Sequence, residues 1–308
     1  PENRGPEVEP GGLSLIAGSN PRFGGIRSKE GARRRALAEW IVDSRNPLTA
    51  RVIVNRLWHH HFGRGIVETP SDFGFLGGKP SHPKLLDWLA SELIEHDWSL
   101  KHLQRLIVTS DTYRQSSSSN PLGLQLDVEN RLLWRWSPRR LETEALRDAV
   151  LATSGTLNRS CGGPGYQDFE YVDKYAPVYR FVTADRPEWW RRTVYRFTVR
   201  SVPNRFMKVL DCPNPSSLTP KRNETTTSLQ SLALLNNPFM IDQARHFARR
   251  LQRTESTTSL QIQLAFELAF SRTPSKQELA SSIRLANEHG LFYLCRAILN
   301  ANEFVYLD

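Results

Sequence analysis

Two consecutive stretches, SHPKLLDWLASELIEH and SLKHLQRLIVTSDTY, place apolar residues every three or four positions, and each opens on a serine. That spacing lines the apolar side chains along one stripe of a helix. A serine at the start satisfies backbone N–H groups that the first turn leaves open. Ser81 and Ser99 are therefore the expected caps of two amphipathic helices. The same rhythm recurs along the chain. ALAEWIVD predicts a short helix, and NPLTARVIVNRLWHHHF predicts another with Asn46 as cap, Pro47 in the first turn and Gly63 as terminator. LETEALRDAVLATS closes on Gly155. After residue 221 come TSLQSLALLNN, PFMIDQARHFARRLQR and SLQIQLAFELAFS, then a helix opened by the capping box SKQE, then GLFYLCRAILNANEF.

Residues 158–220 break this pattern. CGGPG, YAPVYRFVTA, RPEWWRRTVYRFTVRSVP and DCPNPSSLTP are rich in Pro, Gly and aromatics, and TVYRFTV alternates as a half-buried strand does, with PVYRFV as its expected partner. The fold class that follows is mainly α: multi-helical, with a small inserted β hairpin or sheet. The expected organisation is a linker or strap over residues 1–30, a helical lobe over 31–157, the Pro/Gly/aromatic-rich β insert over 158–220 and a second helical lobe over 221–308. The chain begins at Pro1 without an initiator Met or a leader-like stretch, so it reads as a piece of a longer protein.

At 308 residues with 39% hydrophobic and 10% aromatic content, the chain is long enough to bury a substantial core. No apolar run reaches the roughly 18 residues that a membrane-spanning helix needs. The net charge is +9, and Arg outnumbers Lys roughly four to one. A guanidinium is a planar fork of donors that suits carboxylate, sulfate or phosphate. This excess allows either many internal Arg–carboxylate pairs or a surface for anions. The three cysteines, Cys161, Cys212 and Cys295, form no C-x-x-C pair and no C-x-x-C-H haem attachment. Cys161 and Cys212 lie in loop-like sequence and could pair in an oxidising compartment, whereas Cys295 sits in an apolar helical pattern as a small buried hydrophobe.

The run His59–His60–His61 invites a metal reading, but consecutive helical residues point about 100° apart and cannot converge on one ion. Its expected role is structural: Ala50, Val54, Leu57, Trp58, His61 and Phe62 make the apolar face, with His61 bonded to a backbone carbonyl. Arg51, Asn55 and His59 form a polar stripe that holds either a ligand or neighbouring loops. No metal site is expected. Glu144 and Asp148 share a helix face near Arg140 and Arg147. Two acids on one face can divide acid and base roles, or can make ordinary ion pairs. RPEWWRRTVYRFTVR interleaves aromatic and basic residues, so Trp189 and Trp190 either stack on sugars or bases or pack the insert onto the helices. No G-x-S-x-G elbow, phosphate loop or nucleic-acid-binding signature accompanies them.

NPLTARVIVNRLWHHHFGRGIVETPSDFG, PSHPKLLDWLASELI, WSLKHLQRLIVTSDTYRQSS, NRLLWRWSPRRLETEALRDAVLATSGTLN, TTTSLQSLALLNNPFM and LCRAILNANEFVYLD together closely resemble one family. It is the C-terminal planctomycete surface domain, a domain of unknown function, and the resemblance runs from about residue 31 onward. It implies an extracytoplasmic module that follows cytochrome c-type domains in the same protein, with haem c in a preceding domain and none in this chain. Neighbouring polysaccharide-processing functions imply complex glycans as the setting. Arg51, Asn55, Arg56, His82, Asp87, Tyr113, Arg114, Arg140, Glu144 and Asp148 match the family pattern by residue type and are the candidates for a shared polar cluster. The leading functional expectation is an accessory or binding module for sulfated or acidic polysaccharide, with Arg51, Asn55, Arg56, Asp87, Tyr113, Arg114, Arg140, Trp189 and Trp190 as binding residues. The alternatives are a glycan-active enzyme using His59 or His82 with Glu144 or Asp148, and a nonspecific polyanion binder, nucleic acid being the least favoured partner.

Overall fold

The computed structural model describes residues 30–175, 178–182 and 184–307, with residues 5, 9–13, 16 and 23 from the opening segment. The strap expected over residues 1–30 lies largely outside the described residues. The chain is 53% helical, with two small two-stranded antiparallel sheets among the described residues, so the mainly α expectation holds. No described helix is long and apolar enough to cross a membrane. Packing divides the chain into two units, Pro1–Ser137 and Pro138–Asp308.

The N-terminal unit contains α1 (Glu30–Val42), α2 (Pro47–Phe62), α3 (Pro83–Glu95), α4 (Leu100–Thr109) and the short α5 (Asp111–Arg114) and α6 (Pro121–Leu126). Asn46 caps α2 by accepting from the Leu48 N–H, and Gly63 ends it at φ 77°. Ser99 caps α4. The residue at the start of α3 is His82 rather than Ser81, and it makes no side-chain cap. Ser81 Oγ instead donates to the Ile66 carbonyl at 3.3 Å and meets His82 Nδ1 at 2.9 Å, fastening the preceding loop. The stripe read from the sequence is the one buried: Ala50, Val54, Trp58 and Phe62 of α2 pack with Leu86, Leu89 and Leu93 of α3 and Leu103 and Ile107 of α4. Each of the Val, Leu, Ile and Phe side chains contributes about 1.5–3 kcal/mol by leaving water. His61 Nδ1 donates to the Leu57 carbonyl at 2.8 Å, its expected place at the core's edge.

The C-terminal unit opens with β1 (Arg139–Arg140) and α7 (Thr143–Ser154) and continues through a hairpin of β2 (Phe169–Val172) and β3 (Val178–Phe181). Two 3-10 turns, Pro187–Trp189 and Thr193–Tyr195, and the short α8 (Arg205–Val209) complete the irregular segment. There follow α9 (Ser228–Asn236), α10 (Pro238–Thr254), α11 (Thr258–Phe270), α12 (Lys276–His289), α13 (Leu291–Ile298), α14 (Asn302–Val305) and β4 (Tyr306–Leu307). Helix α10 is central, with Ala244, Phe247 and Leu251 fully buried against Val150 of α7, Ile262 of α11 and Leu299 just past α13. The SKQE capping box forms as Ser275 and Glu278 at the start of α12. The hairpin expectation needs correcting in its strands. PVYRFV supplies β3, but its partner is FEYV, with Phe169 opposite Phe181 and Val172 opposite Val178. The alternating stretch TVYRFTV is instead a 3-10 turn, with the Asp148 side chain on its leading N–H, followed by a single parallel bridge of Arg196 to Tyr166 and a loop.

Candidate functional site

Helix α7 presents its charged face to the irregular segment, and Glu144 together with the adjacent Arg147 and Asp148 one turn later decides what lies against it. Asp148 accepts from the Thr193 N–H and from Thr193 Oγ1, both at 2.7 Å, and from Arg192 Nε at 3.3 Å. Arg147 donates to the carbonyls of Trp189 and Arg191 and to Thr193 Oγ1, with its guanidinium 5.4 Å over the Tyr166 ring and 5.3 Å over Phe239. Burial pushes the Arg147 guanidinium below its ordinary pKa. Glu144 receives a two-pronged contact from Arg222 at 2.6 and 3.1 Å, and Arg222 Nε also meets Glu142 at 3.2 Å. Further forks pin the segment to itself. Arg196 grips Asp168 at 2.9 and 3.0 Å, with Asn204 donating to the same carboxylate at 3.2 Å. Arg140 pairs with Asp211 at 2.7 Å.

Between these braces, the described residues of the C-terminal unit line two cavities. The first, about 820 Å³, is lined by Glu144, Asp148, Arg192, Arg200, Lys208 and Arg222 among others. The second, about 610 Å³, is walled by aromatics including Tyr166, Trp189, Trp190 and Phe239, with Arg147 and Asp185. Arg196, Pro203, Asn204 and Met207 line both. Burial alone would raise the Glu144 carboxyl, but the Arg222 fork outweighs it and holds the group below the ordinary carboxylate range. The neighbouring Cys212 thiol is pushed up to about 11, first by burial and then by the charge of Glu144. The Tyr166 hydroxyl is pushed up to about 12 by burial, and it is a buried polar group with no hydrogen-bond partner among the described residues. Most cations here are spent on carboxylates or carbonyls. Arg200 and Lys208 differ: both are exposed, line the larger cavity, and make no side-chain hydrogen bond or ion pair among the described residues.

Trp189 and Trp190 are each half-buried. Trp189 carries the Arg186 guanidinium 5.0 Å over its ring, and Trp190 Nε1 donates to Asp185 at 3.1 Å. The other Asp185 oxygen meets His246 Nε2, whose ring stands edge-on to Trp190 at 5.0 Å.

The remaining candidates belong to the N-terminal unit, where they do not share one cluster. Arg51 pairs with Asp87 at 2.7 Å, and both side chains are substantially exposed. Asn55 is fully buried and clamps one loop residue, accepting from the Val67 N–H at 2.7 Å and donating to its carbonyl at 2.9 Å. Arg56 is exposed. Tyr113 packs on Phe62 and Trp136 with ring centroids 5.8 and 5.0 Å away, while Arg114 pairs locally with Asp111 at 2.9 Å. His59 is half-buried, with its ring edge-on to His60 at 5.7 Å, and His82 is tied to Ser81. Glu144 and Asp148 thus lie in one unit and His59 and His82 in the other. Cys161 and Cys212 are both free thiols.

Sequence reading missed Tyr166, Asp168, Arg196, Arg222 and the Asp185–His246 pair as parts of this site. It also missed Glu92, His96 and His102, which the turn between α3 and α4 brings together with their ligand atoms within 4.8 Å of one another. The spacing Glu-x3-His-x5-His was the available signal for that group.

Residues 33–286 match the family described as PSD1, a protein of unknown function (DUF1553). No curated protein and no solved structure matches the chain.

Proposed function

The chain belongs to the PSD1 family of proteins of unknown function, and from that premise we propose that it is a binding module for anionic polysaccharide. The observation that carries this reading is the larger cavity, where Arg200 and Lys208 have no carboxylate partner among the described residues while neighbouring Arg192 and Arg222 are committed to internal pairs. Uncommitted cations on a concave surface concentrate anions, and a guanidinium fork matches sulfate or carboxylate. Trp189 and Trp190, half-buried in the wall of the aromatic cavity, are the aromatic side chains of this segment that a sugar would meet there. The chain's place beside haem c domains, outside the cytoplasm, rests on the resemblance described above. The three cysteines supply no haem-attachment motif of their own.

The glycan-active enzyme has weaker support. A general acid at neutral pH needs a raised carboxyl pKa, and Glu144 is held low. Asp148 has both oxygens occupied.

Binding of the purified chain to sulfated, carboxylated and neutral glycans, at low and high salt, tests the proposal. Selective binding to one acidic class should persist at high salt, and the Arg200→Ala/Lys208→Ala variant should weaken it at least about tenfold. Attraction to every polyanion that vanishes with salt would indicate a nonspecific electrostatic surface. Binding unchanged in the double variant would overturn the assignment of this cavity.

A further inference from the structure

The turn joining α3 to α4 is built in an unusual backbone. Asp97 and Trp98 are consecutive non-glycine residues in the left-handed region, at φ 52° and 58°. A single such residue costs of order 1–3 kcal/mol and persists only where its surroundings demand it. Here the Trp98 N–H closes onto the Leu93 carbonyl at 2.8 Å, and Ser99 then starts α4. The consequence is to lay the imidazoles of His96 and His102 face to face, ring centroids 3.8 Å apart and planes 12° from parallel. Glu92, one turn before His96 on α3, directs one oxygen, Oε2, at both rings. It lies 3.0 Å from His102 Nε2 and 3.3 Å from His96 Nδ1.

We propose that Glu92, His96 and His102 form a zinc site. Zinc bonds of about 2.0–2.1 Å in a tetrahedron place neighbouring ligand atoms roughly 3.3 Å apart, against 3.0 and 3.3 Å from Oε2 to the two imidazole nitrogens. To aim both nitrogens at one ion, the exposed His96 ring turns out of its parallel stack on His102. Two imidazoles and a carboxylate are a donor set that zinc accepts, with a fourth position for water. The group sits where the carbonyls at the C-terminal end of α3 favour a cation. His96 retains 46% of its side-chain exposure, so the site opens to solvent, while Glu92 at 19% is fixed in place. Without metal, His96 Nδ1 lies 3.0 Å from the Glu92 backbone carbonyl and carries its proton toward it. Coordination through that nitrogen shifts the proton of the neutral ring to Nε2 by exchange with water, with no net proton lost, and replaces the hydrogen bond with a metal bond. The ion would clip α3 to α4 across the left-handed turn. The site stands in the N-terminal unit and is independent of the polysaccharide reading.

The experiment is a calorimetric titration of the chain with zinc chloride, the protein prepared without a polyhistidine tag and stripped with chelator. One zinc per chain is expected, accompanied by a rise in Tm. His102→Ala and Glu92→Gln should each weaken binding at least about tenfold and abolish that rise. The His59→Ala/His60→Ala variant should bind as the parent does, since those rings lie elsewhere. Absence of saturable binding in the parent overturns the proposal, as does unchanged affinity in Glu92→Gln or loss of binding in the His59/His60 variant. Glu92→Gln keeps the shape of the side chain, so it remains informative where His102→Ala alters folding.

Discussion

The two units use charge in opposite ways. In the N-terminal unit a regular helical core does the holding and the ion pairs decorate its surface. The Arg51 and Asp87 side chains remain 35% and 55% exposed. In the C-terminal unit the helices α7 and α10 must hold a long segment with little regular structure, and arginine forks do it. Arg196 and Asp168 are 8% and 15% exposed, and Arg140 and Asp211 are 9% and 16%. A segment poor in ladders and helices leaves its carbonyls and turns in need of partners, and a guanidinium can meet several at once, as Arg147 does. The +9 charge is therefore not one phenomenon. Much of the arginine excess is internal scaffolding, and only the residue left over, such as Arg200 and Lys208, is available to a ligand.

The sharpest way to break this contrast is to remove one partner of a buried fork. Asp168→Ala strands Arg196 and Asn204, and the expected loss is about 3–5 kcal/mol of stability by urea unfolding followed by circular dichroism. A loss below about 1 kcal/mol would mean the forks are ornament in both units. Next comes the N-terminal unit's buried polar clamp. Asn55→Ala leaves the Val67 N–H and carbonyl unsatisfied and should cost about 2–4 kcal/mol, showing that this unit relies on a single amide where the other relies on charge. Acid should separate the units as well. Because Glu144 is held below its ordinary value of 4.5, its contribution is present above that pH and is lost as pH falls through the lower folded value. Thermal melts from pH 7 downward should show the parent losing this increment and Glu144→Gln, which lacks it throughout, losing less. The smallest effect belongs to Arg51→Ala. An exposed pair contributes about 0.2–1 kcal/mol, so a larger shift by the same urea assay would show that the surface of the N-terminal unit is also braced.

The helices were legible because their information is local. Asn46, Ser99 and the Ser275–Glu278 box cap within three residues, and Gly63 and Gly155 end helices by their own φ. Ser81 shows the limit of that logic: it falls one residue before the cap position, which His82 takes, and its backbone N–H and hydroxyl both go to the Ile66 carbonyl. The misassigned strand shows it again. TVYRFTV has the right alternation, but Asp148, 45 residues earlier, claims the Thr193 N–H. The candidate site was legible only in its α7 half. Glu144 and Asp148 announce themselves by spacing, whereas their partners Arg222 and Thr193 lie 78 and 45 residues away and have no local signature.

The pairing of β1 with β4 sets Arg139 opposite Leu307 and Arg140 opposite Tyr306, with the Leu141 N–H reaching the Val305 carbonyl at 2.8 Å. These few hydrogen bonds join the first and last elements of the C-terminal unit. Contacts so distant along the chain form slowly, because the entropy of closing the loop is met before any bond rewards it. The helices of the unit can assemble pair by pair, and the expected last step is the closure of β1 onto β4. In pulse-labelled refolding, amide protection at Leu141 is therefore expected to follow that of the α10 amides, and protection there first would overturn this order.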